Sequence, residues 1–84
     1  MRQIIAMRAS AEEGDVRAQT EMGISYAHGQ GVKKDATEAV KWFRKAALQG
    51  FAQAQFNLGV CYAFGEGVEE DEKKALLWFN KAAE

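Results

Sequence analysis

Tyr26-Ala27-His28-Gly29-Gln30-Gly31-Val32-Lys33-Lys34-Asp35 is followed, 36 residues later, by Tyr62-Ala63-Phe64-Gly65-Glu66-Gly67-Val68-Glu69-Glu70-Asp71. Each stretch reads as the last turn of one helix, a glycine turn that stops it, and an aspartate that caps the next helix. A helix hairpin recurring at a fixed offset predicts a stack of repeated units.

The segments on either side carry the same period. From Asp15, the N-cap or first-turn acid, to about His28, the residues Ala18, Met22, Gly23 and Tyr26 share one helical face. Glycine in mid-helix costs roughly 1 kcal/mol against alanine, so Gly23 implies a neighbouring backbone or a large ring packed against it. From Ala36 to Gln49, the residues Ala39, Trp42, Phe43, Ala46 and Ala47 make the apolar stripe of a second helix, which Gly50 ends. Ala54, Leu58, Gly59 and Tyr62, then Ala75, Trp78, Phe79, Ala82 and Ala83, restate both helices. Aligning Gly14–Leu48 with Gly50–Glu84 gives sixteen identical pairs in 35, and all eight glycines fall in register. Arg2–Glu13 bears Ile4, Ile5, Met7, Arg8 and Ala11 at helical spacing and stops at Gly14. On the same period it matches Val40–Gln49, the second helix of a preceding unit. The expected architecture is all-α: one repeat domain over residues 1–84, with an N-terminal helix at 1–13, repeat 1 at 14–49 and repeat 2 at 50–84.

Bulk properties narrow the function classes. A formal net charge of −1 supplies no basic face for nucleic acid. No apolar run approaches the roughly 20 residues of a membrane span, and the N-terminus lacks a signal-peptide core. Cys61 has no intrachain cysteine partner and reads as a small buried apolar side chain; with no oxidising framework, the expected compartment is the cytoplasm. Residues 1–49 carry a local balance of +2 and residues 50–84 one of −3, a split that favours head-to-tail contact if it is more than a solvated surface.

Met22-Gly23 through Gly50 and Leu58-Gly59 through Ala83 both follow Leu-Gly-x-x-Tyr-x-x-Gly-x-Gly-Val-x-x-Asp, with Met22 standing for the leucine in the first, and then Ala-x-x-Trp-Phe-x-Lys-Ala-Ala. This pattern resembles the Sel1-like repeat, a relative of the tetratricopeptide repeat, and covers nearly everything after residue 13. The resemblance implies a right-handed α/α solenoid acting as an interaction scaffold without cofactors. It also implies that the first helix of each hairpin lines a concave face. Helical geometry guided by that resemblance nominates Arg17, Thr20, Glu21, Ile24 and His28 in the first unit. In the second it nominates Gln53, Phe56, Asn57, Val60 and Phe64. Their mixture of aromatic and hydrogen-bonding side chains suits a peptide or a partner helix.

Two other function classes follow from the residues. Leu77, Trp78 and Phe79 lie near the C-terminal end of the stack, where another first helix would normally cover them, so self-association is the structural alternative. Some cysteine-rich relatives are described as binding or cleaving penicillin-type compounds, which makes a β-lactam enzyme the remote one. Its only candidate pair is Ser25 with His28, and the second unit has Cys61 and Phe64 at those places. One histidine and one cysteine make no metal set, and the glycine turn lacks the lysine of a phosphate loop, so it reads as a connector. Within that connector, Lys33 and Lys34 stand where the next unit has Glu69 and Glu70, and attraction across the repeat boundary is expected.

Overall fold

Aspartates start three of the helices. Asp15 accepts hydrogen bonds from the backbone N–H groups of Arg17 and Ala18, Asp35 accepts from Glu38, and Asp71 accepts from Lys74. Each satisfies donors that a helix start leaves unpaired. The computed structural model describes residues 2–84, so Met1 of the expected domain lies outside the described residues. The helices are α1 (Arg2–Glu12), α2 (Val16–His28), α3 (Ala36–Leu48), α4 (Ala52–Phe64) and α5 (Glu72–Ala83), and no strand is present among the described residues. The start of α4 differs from those three: Phe51 occupies the cap position and makes no side-chain cap bond.

The glycine turns close as their sequence requires. Gly29 and Gly65 adopt left-handed backbone at φ 69° and 66°, where an L side chain is strained. The connector then returns on the helix it has left. Asp35 N–H donates to the Tyr26 carbonyl and Asp71 N–H to the Tyr62 carbonyl, both at 2.9 Å. That backbone bond sets where the second helix of each hairpin begins.

Each helix packs against the next in a slab of 38 × 24 × 14 Å, the form of an α/α solenoid. Two apolar clusters lie between successive layers. One joins Ile4, Ala11, Ala18, Met22 and Trp42; the other joins Val40, Phe43, Ala47, Leu58, Tyr62 and Ala75 with their neighbours. Met22 and Leu58 are completely enclosed, and each such side chain contributes about 1.5–3 kcal/mol by leaving water.

Two side-chain bonds recur between layers. Arg8 Nη2 donates to the Tyr26 hydroxyl at 2.7 Å and Arg44 Nη2 to the Tyr62 hydroxyl at 2.8 Å. Gln19 Nε2 donates to the Ala11 carbonyl at 3.0 Å and Gln55 Nε2 to the Ala47 carbonyl at 3.2 Å. The first member of each pair involves α1, so α1 packs as the second helix of a preceding hairpin would. Gly23 has the neighbour its position demanded: the Phe43 ring lies where a side chain at residue 23 would begin.

Candidate functional site

A groove of about 520 Å³ opens between α2 and α4. Ile24 and Ala27 form one wall, Val60 and Cys61 the other, and Ala39 and Phe43 of α3 the floor. His28, Lys34, Asn57 and Glu66 place polar groups among these apolar surfaces. The volume is in the range that accepts a few side chains. The helical pitch explains the arrangement. Residues 24, 27 and 28 lie on one stripe of α2, and 57, 60 and 61 on one stripe of α4.

Four of the ten nominated positions meet in this groove: Ile24, His28, Asn57 and Val60. Arg17 and Glu21 lie instead in a second, more open recess of about 510 Å³ between α1 and α2, with Gln3 and Ser10. Gln53 and Phe64 are exposed and line neither; Phe64 is 72% exposed. Thr20 is not a surface residue. It is 1% exposed, and its hydroxyl donates to the Val16 carbonyl at 2.8 Å. Phe56, at the equivalent place in α4, leans on Phe79 with ring centroids 5.4 Å apart, so it faces α5 rather than the groove.

Lys34, Glu66 and the turn glycines Gly65 and Gly67 belong to the lining although the connector read only as a linker. The connector has both roles because its return to the preceding helix brings it against the groove mouth. The expected attraction of Lys33 and Lys34 for Glu69 and Glu70 does not take the form of a direct ion pair. Among the described residues the one ion pair is Lys41 with Glu38, at 3.8 Å within α3.

Ser25 is buried, His28 is exposed, and no hydrogen bond joins them. Burial pushes the Cys61 thiol up to about 11, with the Glu66 charge adding to the effect and Arg44 opposing it, so at neutral pH it stays a neutral, weakly polar part of the wall. No group of three or more His, Cys, Asp or Glu side chains among the described residues is placed to hold a metal ion. Nor is any described helix long and apolar enough to cross a membrane.

At the outer face of α5, Leu76 takes the place that Val40 has in α3, whereas Leu77 matches the exposed Lys41. Leu76 and Leu77 are both exposed, at 55% and 53%, and the half-exposed Phe56 packs on Phe79. Trp78 is partly covered, with Lys81 Nζ 6.0 Å from its ring centroid.

Comparison with known proteins gives consistent results. A family model described as Sel1 repeat matches residues 16–51 and 52–84. A protective antigen of uropathogenic Escherichia coli displaying an SLR fold superposes with a TM-score of 0.94 at 42% identity, over 95% of this chain and 17% of that one. A Sel1 repeat protein from Oxalobacter formigenes gives 0.94 at 41% identity, over 95% and 61%. Helicobacter pylori cysteine rich protein B gives 0.93 at 27% identity, over 98% and 62%. In sequence, the secretory immunoglobulin A-binding protein EsiB of Escherichia coli is 44% identical over 40 residues. That match takes in 48% of this chain and 8% of the relative, and the chain spans less than two thirds of each of these proteins.

Proposed function

Since the chain belongs to the Sel1 repeat family, whose proteins generally act as protein–protein interaction scaffolds, we propose that it binds a peptide segment of a protein partner in the groove between α2 and α4. The observation that carries this reading is the groove itself. Apolar walls from two successive repeats enclose about 520 Å³, and polar side chains stand where a peptide backbone would need partners. The Escherichia coli relative named for binding secretory immunoglobulin A has a protein as its ligand, which supports the partner class. An apolar side chain seated between Ile24 and Val60 supplies about 1.5–3 kcal/mol, and backbone hydrogen bonds to Asn57 and His28 fix its register.

Panning a displayed random-peptide library on the purified chain tests this. Val60→Glu places a charge on the half-open wall and should lower the affinity of enriched peptides about tenfold or more while far-UV circular dichroism stays unchanged. Peptides that bind the variant as well as the parent would exclude the groove.

Self-association through the outer face of α5 has separate support. Leu76 and Leu77 are 55% and 53% exposed there, and Phe56, 53% exposed, packs on Phe79. Two such faces brought together would remove that apolar surface from water.

A further inference from the structure

The two connectors at the groove mouth carry opposite charge, and among the described residues no ion pair engages those charges. The first holds Lys33 and Lys34; the second holds Glu66, Glu69 and Glu70. Lys34 and Glu66 both line the groove. Like-placed residues of the two connectors are kept apart by the way each connector is pinned. The Lys34 stem packs on the left-handed turn at Gly29, where a side chain on that glycine would begin 3.2 Å from Lys34 Cβ. Glu70 packs on the turn at Gly65 in the same manner, at 3.3 Å. Each charge is thus held on its own repeat, and no ion pair joins the two connectors among the described residues.

Lys34 belongs to the first-repeat side of the groove and Glu66 to the second, and the two connectors meet where Gly67 packs against the Ala36 carbonyl. A ligand that crosses the groove from the first repeat to the second meets a cation at one lip and an anion at the other, with the apolar Ile24 and Val60 lining the same groove. We infer that the partner segment is an extended peptide carrying an acidic side chain, one or more apolar side chains and a basic side chain in that spatial order. The acidic group sits at the Lys34 connector, the apolar group between Ile24 and Val60, and the basic group at Glu66. This rests on the groove being the binding site. It adds that the charges select the orientation in which a segment lies, because the reversed order sets like charge against like at both lips. The charges also predict binding that weakens with added salt, since both lips are solvent-exposed and screened within about 8 Å at physiological ionic strength.

The test uses the whole chain and synthetic copies of the peptides enriched by panning. Enriched peptides should carry acid and base on opposite sides of an apolar residue. Lys34→Glu should weaken them about 3- to 10-fold, and a peptide with its acidic and basic residues exchanged should bind the Lys34→Glu/Glu66→Lys protein as well as the original binds the parent. Indifference to both charge reversals, with binding still lost in Val60→Glu, would overturn the charge order and leave the groove standing. Indifference to Val60→Glu as well, or failure to enrich any peptide, would overturn both.

Discussion

The two hairpins are close to copies in sequence, yet matching positions in them meet opposite surroundings. Val40 is 2% exposed and Leu76, 36 residues on, is 55% exposed; Thr20 is 1% exposed and Phe56 is 53% exposed. The more apolar member of the second pair is the one in water. Residue type therefore does not set burial here. For Val40 the cover is the second hairpin stacked against α3, since Val40 and Phe43 share a cluster with Leu58 and Tyr62 of α4. A repeat unit is amphipathic on two faces, and a unit alone leaves one of them open.

An acidic substitution should separate the two faces most strongly. Val40→Asp buries a carboxylate among Ala39, Phe43 and Leu58 and should cost about 3–5 kcal/mol, enough to unfold a domain of this size. Leu76→Asp should change stability by no more than about 1 kcal/mol in urea melts. The same variant decides the self-association reading. If the parent's sedimentation-average mass rises with concentration, Leu76→Asp should abolish the rise; a parent that stays monomeric throughout the series would rule that reading out.

The mid-helix glycines sharpen the comparison at lower energy. At Gly23 a methyl group would overlap the Phe43 ring, which is 4% exposed and belongs to the core cluster of Val40, Ala47 and Leu58. At Gly59 it would begin 2.7 Å from Phe79, whose ring is only partly covered, and 3.2 Å from the Ala75 carbonyl oxygen. Gly23→Ala should lose about 1–3 kcal/mol by overpacking. Gly59→Ala should lose less, because Phe79 can swing outward and alanine regains up to about 1 kcal/mol of helix propensity. Equal losses would mean that Phe79 is held as firmly as Phe43.

The helices were legible in the sequence because their boundaries rest on local chemistry. Asp15, Asp35 and Asp71 cap within three residues, and Gly29 and Gly65 turn where only glycine is unstrained. Even the ring against Gly23 follows from one missing side chain. The groove was half legible for a related reason. Ile24, His28, Asn57 and Val60 follow from helical geometry, but Thr20, one turn before Ile24 on the same stripe, is covered, and Phe56, one turn before Val60, leans on Phe79 of α5. A helical wheel does not reveal how much of a stripe a neighbour will cover until the packing is known. Lys34 and Glu66 were missed because the connector folds back over the groove through a backbone bond from Asp35 or Asp71, to which no side-chain pattern corresponds.

The smallest contrast is at residues 25 and 61, where one hairpin has serine and the other cysteine at equal burial, 6% exposed in both. Since the fold accepts a hydroxyl at this place in α2, Cys61→Ser should cost about 1 kcal/mol or less. The thiol itself should report the burial through its titration. With its folded value raised to about 11 against about 8.5 in an unfolded chain, the native state holds its proton where the unfolded state has already lost it. Stability from this source is complete below about pH 8.5 and drains away as pH rises towards 11. Iodoacetamide at pH 8 should therefore label Cys61 slowly in the folded protein and quickly in urea. A peptide seated in the groove should slow the native reaction further, because Cys61 forms part of its wall. Labelling as fast as that of a free thiol would show that α4 does not hold Cys61 as Ser25 is held in α2.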